Sequence, residues 1–161
     1  MASHPQTIAI VAAEPSHAAA IDRLLRQLAV SEGTLADLTY ELPELSDALS
    51  QGQIHALVAV SGTDVLACLT FTWDFALWSG GRLMRIDDLI VDERWRDQGM
   101  GTRLMAAAAE QAVTMGATAR WEVEAENAQA QQFYRRQGVD LKNKVVARWS
   151  IQSMREVLRQ N

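Results

Sequence analysis

Arg96-Asp97-Gln98-Gly99-Met100-Gly101-Thr102 is the stretch that decides the fold of this chain, because of what lies on either side of it. The residues before it, 83–91, form a strand-like run, and those after it, 102–115, form an alanine-rich helical run. The first amides of a helix lack intrahelical acceptors and lie at the positive end of its dipole. The two glycines would let a ligand approach the backbone closely. A strand, a glycine turn and a helix start therefore predict a site for a phosphate group.

Two familiar phosphate-binding motifs do not match this turn. A mononucleotide P-loop requires a lysine and a hydroxyl residue directly after its last glycine, whereas Thr102 and Arg103 follow Gly101. A dinucleotide-binding turn requires a third glycine three residues further on, where this chain has Leu104. On these residues alone, a tight turn without a ligand is the alternative interpretation.

Length and composition are those of one ordinary domain. The chain has 161 residues, of which 48% are hydrophobic and 22% charged, and we expect a single domain over 1–161 with a full core. The net charge of −5 argues mildly against nucleic acid as a partner. No apolar run is long enough to span a membrane, and Met1-Ala-Ser-His-Pro5 does not resemble the start of a signal peptide. We therefore expect no membrane association.

The cysteine and histidines do not indicate metal or disulfide chemistry. A single cysteine, Cys68, cannot form an internal disulfide, which favours a reducing, cytoplasmic setting. It lies in an apolar run, so we interpret it as a small buried strand residue rather than a catalytic thiol. His4, His17 and His55 have no metal-ligand spacing with it, and no metal is expected.

Hydrophobic periodicity predicts strands and helices in succession along the chain. The predicted strands are 7–12, 54–60, 65–73, 82–91, 120–124 and 145–151. The predicted helices begin after Pro15 and after Pro43, and cover 102–115, 127–137 and 153–158. This order predicts one α/β domain with a central mixed, mostly antiparallel sheet flanked by helices.

A second motif, Asn127-Ala-Gln-Ala-Gln-Gln-Phe133-Tyr134-Arg-Arg-Gln-Gly138, follows the glycine turn later in the chain. It combines an asparagine with a Phe-Tyr pair on a predicted helix that ends at a glycine. Together with Arg96-x-x-Gly99-x-Gly101 and the strand 86–91 before it, this motif resembles the GNAT superfamily of N-acetyltransferases. The resemblance extends to the strand order of nearly the whole chain and implies the GNAT fold.

Within the superfamily, the chain is most similar to the diamine and polyamine acetyltransferases. The similarity lies in Phe71-Thr-Trp73, Trp78-Ser-Gly80 and Arg148-Trp149-Ser-Ile151. Two departures concern the acceptor, because those enzymes usually carry Glu-Asp where this chain has Asp87-Asp88, and the loop 76–81 is longer here. The resemblance therefore identifies the acetyl donor better than the acceptor.

The resemblance implies that acetyl-CoA is the acetyl donor and that backbone groups hold it. Its pyrophosphate would lie against the glycine turn, formed by Arg96, Asp97, Gln98, Gly99, Met100, Gly101 and Thr102. Its pantetheine arm would pair with the main chain of Leu89, Ile90 and Val91, which a strand bulge leaves open. The Leu89 amide would donate to the thioester oxyanion. Asn127 would contact the arm, although its side chain also suits a helix cap.

The resemblance assigns the proton for the departing thiolate to Tyr134. A phenol with a pKa near 10 can donate to a thiolate. The alternative role is that of an aromatic side chain that packs its helix on the sheet. Phe133 suits that role better, because neighbours on a helix point about 100° apart.

The acceptor amine must lose a proton before it attacks. For an alkylamine of pKa about 10.4, deprotonation at pH 7 costs roughly 4.6 kcal/mol, which requires a base or a water chain. Asp87 and Asp88 lie in an apolar strand, whose alternation predicts that their side chains point to opposite faces of the sheet. At least one of the two carboxylates should therefore be partly buried. Asp87 matches the acidic acceptor residue of the subgroup, where it would bind the ammonium or act through water. Structural caps and salt bridges are the alternative for both, and Glu32 and Trp73 are further acceptor-site candidates.

The resemblance thus predicts an acetyl-CoA-dependent N-acetyltransferase that acts on a primary amine of a small molecule, diamine- or polyamine-like. No residue suits a covalent relay, so we expect direct attack in a ternary complex. Acetylation of a protein or peptide amine is one alternative, and a non-catalytic CoA-binding module is another. The subgroup also suggests a homodimer.

Overall fold

The computed structural model describes residues 7–160, which divide by their contacts into two compact units. The first unit ends at Glu122 and contains all the described strands, and the second begins at Val123 and contains two helices. His4 and the segment on which the signal-peptide prediction rests lie outside the described residues. No helix within 7–160 is long and apolar enough to cross a membrane.

The first unit is built on a five-stranded sheet whose strand order follows the chain. Its strands are β1 (Ala9–Ala12), β2 (His55–Ser61), β3 (Asp64–Phe75), β4 (Arg82–Val91) and β5 (Thr118–Arg120). Neighbouring strands are antiparallel, except that β4 and β5 run parallel. The mixed, mostly antiparallel sheet predicted from the sequence is confirmed.

Helices α1 to α3 belong to the first unit, and α4 and α5 to the second. Their bounds are α1 (Ala18–Glu32), α2 (Leu42–Ser50), α3 (Met100–Thr114), α4 (Ala128–Arg136) and α5 (Ile151–Gln160). Local capping sets several of their ends. Gly33, at a φ of 71°, ends α1, and reciprocal hydrogen bonds between Glu41 and Glu44 begin α2.

Two apolar layers hold helices on the sheet, one on each face. On one face, α3 packs on the sheet through Met100, Leu104, Ala108, Ala112, Leu69, Phe71, Met84 and Ile86. On the other face, α1 and α2 pack on it through Ala18, Ile21, Leu24, Leu45, Val58, Cys68 and Ile90. Successive residues of β3 therefore serve opposite layers, as the two-residue period of a strand requires.

Cys68, the only cysteine of the chain, is 0% exposed in the layer beneath α1. Burial raises the pKa of its thiol to about 12, so the thiol stays protonated at neutral pH. The interpretation of Cys68 as a small buried strand residue is confirmed.

A bulge interrupts β4 at Asp87. Thr70 of β3 lies opposite Asp88, and the next residue, Phe71, lies opposite Ile86, so that Asp87 has no partner on β3. On the other side of β4, pairing with β5 is confined to Leu83–Arg85. None of the described strands pairs with residues 86–91 on that side, and β4 therefore has an open edge beyond the bulge.

The carboxyl-terminal segment corrects one prediction. The strand predicted over 145–151 is absent, residues 139–150 form no regular element, and the terminal helix begins earlier than predicted, at Ile151. The local reason is a helix cap, because the Ser150 hydroxyl accepts a hydrogen bond from the Ser153 backbone N–H at 3.1 Å. The apolar residues that follow recur at helical spacing, and this period prevails over the strand pattern.

Candidate active site

The glycine turn connects β4 to α3 through two residues of left-handed backbone. Asp97 has a φ of 60°, which is uncommon for a residue other than glycine, and Gly99 has a φ of 76°. Gly99 precedes α3 and offers no side chain to its first amides. A Cβ atom at Gly99 would meet no described atom within 4 Å, so the space above the turn is open. The turn thus presents helix-start amides to an open surface, which suits an anion.

The open edge of β4 exposes particular backbone groups. The Asp92 N–H donates to the Leu66 carbonyl on β3 at 2.9 Å. Backbone groups of an antiparallel strand alternate in direction, so Leu89 and Val91 direct theirs away from β3, toward the open edge. In agreement, the Val91 carbonyl accepts a hydrogen bond from Arg96 Nε at 3.4 Å. The Leu89 N–H is therefore available to a ligand that lies along this edge.

Asp88 is anchored by a buried hydroxyl on the neighbouring strand. Its backbone N–H donates to Thr70 Oγ1 at 3.1 Å, and the Thr70 hydroxyl donates to Asp88 Oδ2 at 3.3 Å. Burial raises the pKa of the Asp88 carboxyl, the Thr70 hydrogen bond opposes that rise, and the charge of Glu32 adds to it. The prediction that at least one carboxylate of the pair is partly buried is confirmed.

Asp87 lies in a different environment, beside an arginine. Arg85 Nε is 4.0 Å from Asp87 Oδ1, and Arg85 Nη1 is 3.3 Å from Asp74 Oδ2. Burial raises the pKa of the Asp87 carboxyl, and Arg85 opposes that rise. The prediction of opposite faces for Asp87 and Asp88 assumed the regular alternation of a strand. The bulge at Asp87 interrupts that alternation, so the assumption does not hold here.

The other two acceptor-site candidates lie on different faces of the sheet. Glu32 is the last residue of α1, and its charge acts on Asp88. Trp73 packs with the apolar layer beneath α3, where its ring meets Phe71 edge to face at 5.5 Å between centroids. Asp88 is two residues from Ile90, which belongs to the layer beneath α1. The structure thus brings Glu32 toward Asp88 and places Trp73 on the opposite face.

Asn127 and Tyr134 belong to the second unit. Asn127 Oδ1 accepts a hydrogen bond from the Ala130 backbone N–H at 3.0 Å, which confirms its prediction as the cap of α4. Tyr134 is partly buried, and its ring meets that of Phe133 at 5.3 Å between centroids. The contact of Asn127 with a cofactor and the acid role of Tyr134 stay predictions.

Three residues that form hydrogen bonds or ion pairs around the site were not identified from the sequence. Thr70 is the one hydroxyl residue within the buried run 65–71 of β3, and that contrast was a usable signal. Arg85 and Asp92 gave no such signal, because their partners Asp74, Asp87 and Arg23 are identified only by strand pairing and helix packing. No group of three or more metal-ligating side chains is found within 7–160.

Residues 23–139 match the sequence model of the Acetyltransferase (GNAT) family, and the chain belongs to this family. It is therefore an N-acetyltransferase, and enzymes of this family use acetyl-CoA. No curated protein matches the chain.

Solved structures with the same fold include acetyltransferases with unlike acceptors. An aminoglycoside acetyltransferase from an uncultured soil metagenomic sample, solved with trehalose, shares 21% identity at a TM-score of 0.75, over 89% of this chain and 95% of its own. A ribosomal-protein-alanine N-acetyltransferase from Brucella melitensis biovar Abortus 2308 shares 16% identity at a TM-score of 0.72, over 89% and 100%. An integron cassette protein from the V. cholerae mobile metagenome shares 22% identity at a TM-score of 0.73, over 94% and 98%. At these identities the similarity concerns the fold, and it does not select an acceptor.

Proposed function

We propose that this enzyme moves the acetyl group of acetyl-CoA to a primary amine of a small cationic acceptor, diamine- or polyamine-like, by direct attack in a ternary complex. The observation that carries the proposal is the bulge at Asp87, where two adjacent aspartates lie in the stretch of β4 that has one open edge. The charge of Glu32 acts on Asp88 from the end of α1. An acceptor with more than one ammonium group suits this concentration of negative charge.

The donor would be held by backbone groups, which fit it in two respects. The open space above Gly99 and the uncapped start of α3 suit a pyrophosphate against residues 96–102. The open edge of β4 suits the pantetheine arm along residues 89–91. We propose Asn127 as a further contact of that arm. Acetyl-CoA supplies an activated thioester at this edge.

Two groups of the chain would serve the transfer itself. We assign the Leu89 N–H to the carbonyl oxygen on which negative charge develops, because it points toward the open edge of β4. We assign the Tyr134 hydroxyl to protonation of the sulfur that leaves. Both groups act on the donor, so their loss would reduce kcat for every acceptor.

Asp87 would act as an anchor for the ammonium, directly or through water. Burial raises its pKa, yet an ordinary carboxyl titrates near 4 and an alkylammonium near about 10.4. A carboxylate so far below the amine is a poor base for it, and the free amine must then come from solution or from a water chain. We therefore expect kcat/KM for the acceptor to rise with pH through the neutral range.

The test is a thiol-release assay with acetyl-CoA and a panel of diamines, polyamines, lysine analogues, arylamines and alanine-terminated peptides. We expect turnover with diamines or polyamines, and an Asp87→Asn variant should raise KM for them about tenfold or more because the ammonium loses its anchor. Asp64→Asn, which changes an exposed aspartate at the start of β3, is the matched control and should behave as wild type.

A preference for peptides in this panel would contradict the small-molecule acceptor and favour a protein amine. Absence of turnover with every acceptor, in a protein that binds CoA, would contradict the proposal as a whole. Equal effects of Asp87→Asn and Asp64→Asn on KM would show that Asp87 does not bind the acceptor.

We further propose a homodimer in the cytoplasm. The tip of the β3–β4 hairpin exposes Phe75, Leu77 and Trp78, the last of them fully, and such a patch suits a contact between copies. A single buried cysteine suits a reducing compartment. Light scattering should give twice the mass of the chain, and a monomer at all concentrations would contradict the dimer.

A further inference from the structure

Asp92, at the carboxyl end of β4, is a buried carboxylate that none of the steps above uses. Its side chain is 1% exposed, and two arginines hold it. Arg94 donates from Nε to Oδ1 and from Nη2 to Oδ2, both at 3.0 Å, and its backbone N–H donates to Oδ1 at 3.1 Å. Arg23 Nη1 donates to Oδ2 at 2.7 Å. These contacts satisfy both carboxylate oxygens in a fixed orientation.

One side of this network is fixed to the body of the first unit. Arg23 lies on α1, and its Nη2 also donates to the Val65 carbonyl on β3 at 2.9 Å. The backbone N–H of Asp92 itself donates to the Leu66 carbonyl at 2.9 Å. Asp92 is thus tied to a helix and to a strand that pack in the core of the first unit.

The other side of the network leads into the glycine turn. The Asp92 carbonyl accepts from the Trp95 N–H at 2.8 Å, and the Arg94 carbonyl accepts from Gln98 Nε2 at 3.2 Å. Gln98 lies between the two residues of left-handed backbone, Asp97 and Gly99. A non-glycine residue in that conformation costs free energy and persists only where its surroundings determine it. The contacts that begin at Asp92 reach Gln98, the residue between Asp97 and Gly99, through the Arg94 backbone.

We propose that Asp92 is a positioning residue for the acetyl donor, which holds the glycine turn in the conformation that receives a pyrophosphate. This inference rests on the proposed binding of acetyl-CoA at that turn. A buried carboxylate between two arginines is a poor device for stability alone, because apolar residues of similar volume do that equally well. What the network adds is a fixed Arg94, whose N–H and guanidinium bond to Asp92 and whose backbone carbonyl holds the Gln98 side chain.

The test compares two acetyl donors in an Asp92→Asn variant. Acetyl-CoA carries the pyrophosphate, whereas S-acetylpantetheine has the same thioester and arm without it. We expect KM for acetyl-CoA to rise about tenfold with kcat within about twofold of wild type, because binding and not the chemical step is affected. For S-acetylpantetheine, kcat/KM should stay within about twofold of wild type. A general loss of structure would affect both donors alike.

Arg26→Gln is the matched control, because it removes an exposed ion pair with Asp22 from the same helix as Arg23. It should leave both donors unaffected. If Asp92→Asn weakens both donors equally, or neither, the positioning role is overturned. If that variant does not fold, Arg23→Gln replaces it, with the same donor-specific rise in KM expected and an unchanged KM overturning the role.

Calorimetry with CoA separates this inference from the proposed function. A wild-type protein that does not bind CoA overturns the proposed function and the inference together. A wild-type protein that binds CoA, with an Asp92→Asn variant of equal affinity, overturns the inference alone.

Discussion

Asp87 and Asp88 are adjacent residues of one strand, yet different neighbours control their carboxyls. Asp88 has a hydroxyl partner in Thr70, whereas Asp87 is the unpaired residue of the bulge and has a cation in Arg85. A change at either neighbour should therefore act directly on one carboxyl, and Thr70 can reach Asp87 only through the charge of Asp88, which also raises the Asp87 pKa. This separation makes the two aspartates distinguishable by experiment.

Thr70→Val should shift the acidic limb of the pH profile for the acceptor to higher pH. The Thr70 hydroxyl donates to Asp88 and stabilises its charged form, so loss of that hydrogen bond raises a pKa that burial has already raised. At a given acidic pH, a smaller fraction of Asp88 is then ionised. The measurement is kcat/KM for a diamine from pH 4.5 to 9.

Thr72→Val is the control for this shift, because it makes the same chemical change one pleat further along β3. The buried Thr72 Oγ1 has no hydrogen-bond partner among the described residues. Its pH profile should match that of wild type. An identical shift in both variants, or in neither, would show that Thr70 does not act through Asp88.

Tyr134→Phe should lower kcat by about 10- to 100-fold and leave KM for acetyl-CoA within about twofold. The loss lies at the lower end of general acid effects, because a thiolate is a good leaving group even without a proton. Phe133→Leu, which removes the ring that meets Tyr134, should keep kcat near that of wild type. Full activity in Tyr134→Phe would exclude the acid role.

At the scale of elements, the glycine turn combines an anion-binding shape with backbone strain. Asp97 is the non-glycine residue with positive φ among those described. Aspartate tolerates this conformation better than most residues, because its short polar side chain can bond locally. The turn therefore keeps its shape at a modest cost in stability.

Asp97→Val should destabilise the protein by about 1–2 kcal/mol, whereas Asp97→Gly should change its stability by less than about 1 kcal/mol. A β-branched side chain is poorly compatible with positive φ, and glycine adopts it freely. The measurement is the free energy of unfolding in urea. Asp64→Val, at an exposed strand position, is the control and should be nearly neutral. Equal losses in the two valine variants would mean that Asp97 is not strained.

Elements with strong local signals could be predicted from the sequence. The strand-like run of β4, the alanine-rich α3 and the Asn127 cap of α4 agree with the structure within a few residues. The resemblance implied a bulge in β4, but its position at Asp87 could not be predicted, because it depends on how β3 and β4 align, and neither strand carries that information alone. The absent strand at 145–151 has a local cause, given by the Ser150 cap and the helical spacing of the apolar residues after it.

At the scale of the whole molecule, the ion pairs of Asp92 should make the free energy of unfolding depend on pH in the acidic range. Arg94 and Arg23 lower the pKa of the Asp92 carboxyl well below its ordinary value near 4. Ionised Asp92 therefore stabilises the fold fully above about pH 5, and this contribution is lost as pH falls through 4 toward the lower folded-state pKa. Below that point both states are protonated.

Asp92→Asn should accordingly lower the free energy of unfolding by about 2 kcal/mol at pH 7. This value is smaller than for a fully buried ion pair, because solvent screens the two exposed arginines. The difference between wild type and variant should shrink at pH 3. Urea unfolding at the two pH values measures it. A difference of equal size at both would mean that the charge of Asp92 contributes nothing.

The donor side of the site could be predicted further than the acceptor side, for a physical reason. Backbone amides at a helix start and along a strand edge are the groups proposed to hold the donor, and their positions follow from the fold. The side chains proposed for the acceptor carry charges that depend on neighbours such as Thr70, Arg85 and Glu32, which come together only on folding. A family match therefore specifies acetyl transfer and leaves the amine to experiment.

The burial of Cys68 has a practical consequence for the thiol-release assays suggested above. Each turnover liberates one free sulfhydryl on CoA, which a chromogenic disulfide reagent counts by absorbance. Because the native protein hides its own sulfhydryl at 0% exposure, the reagent should record product without a contribution from the enzyme. A slow stoichiometric colour change before substrate is added would then report local opening of β3. The rate of that change would measure how fast the protein unfolds around Cys68.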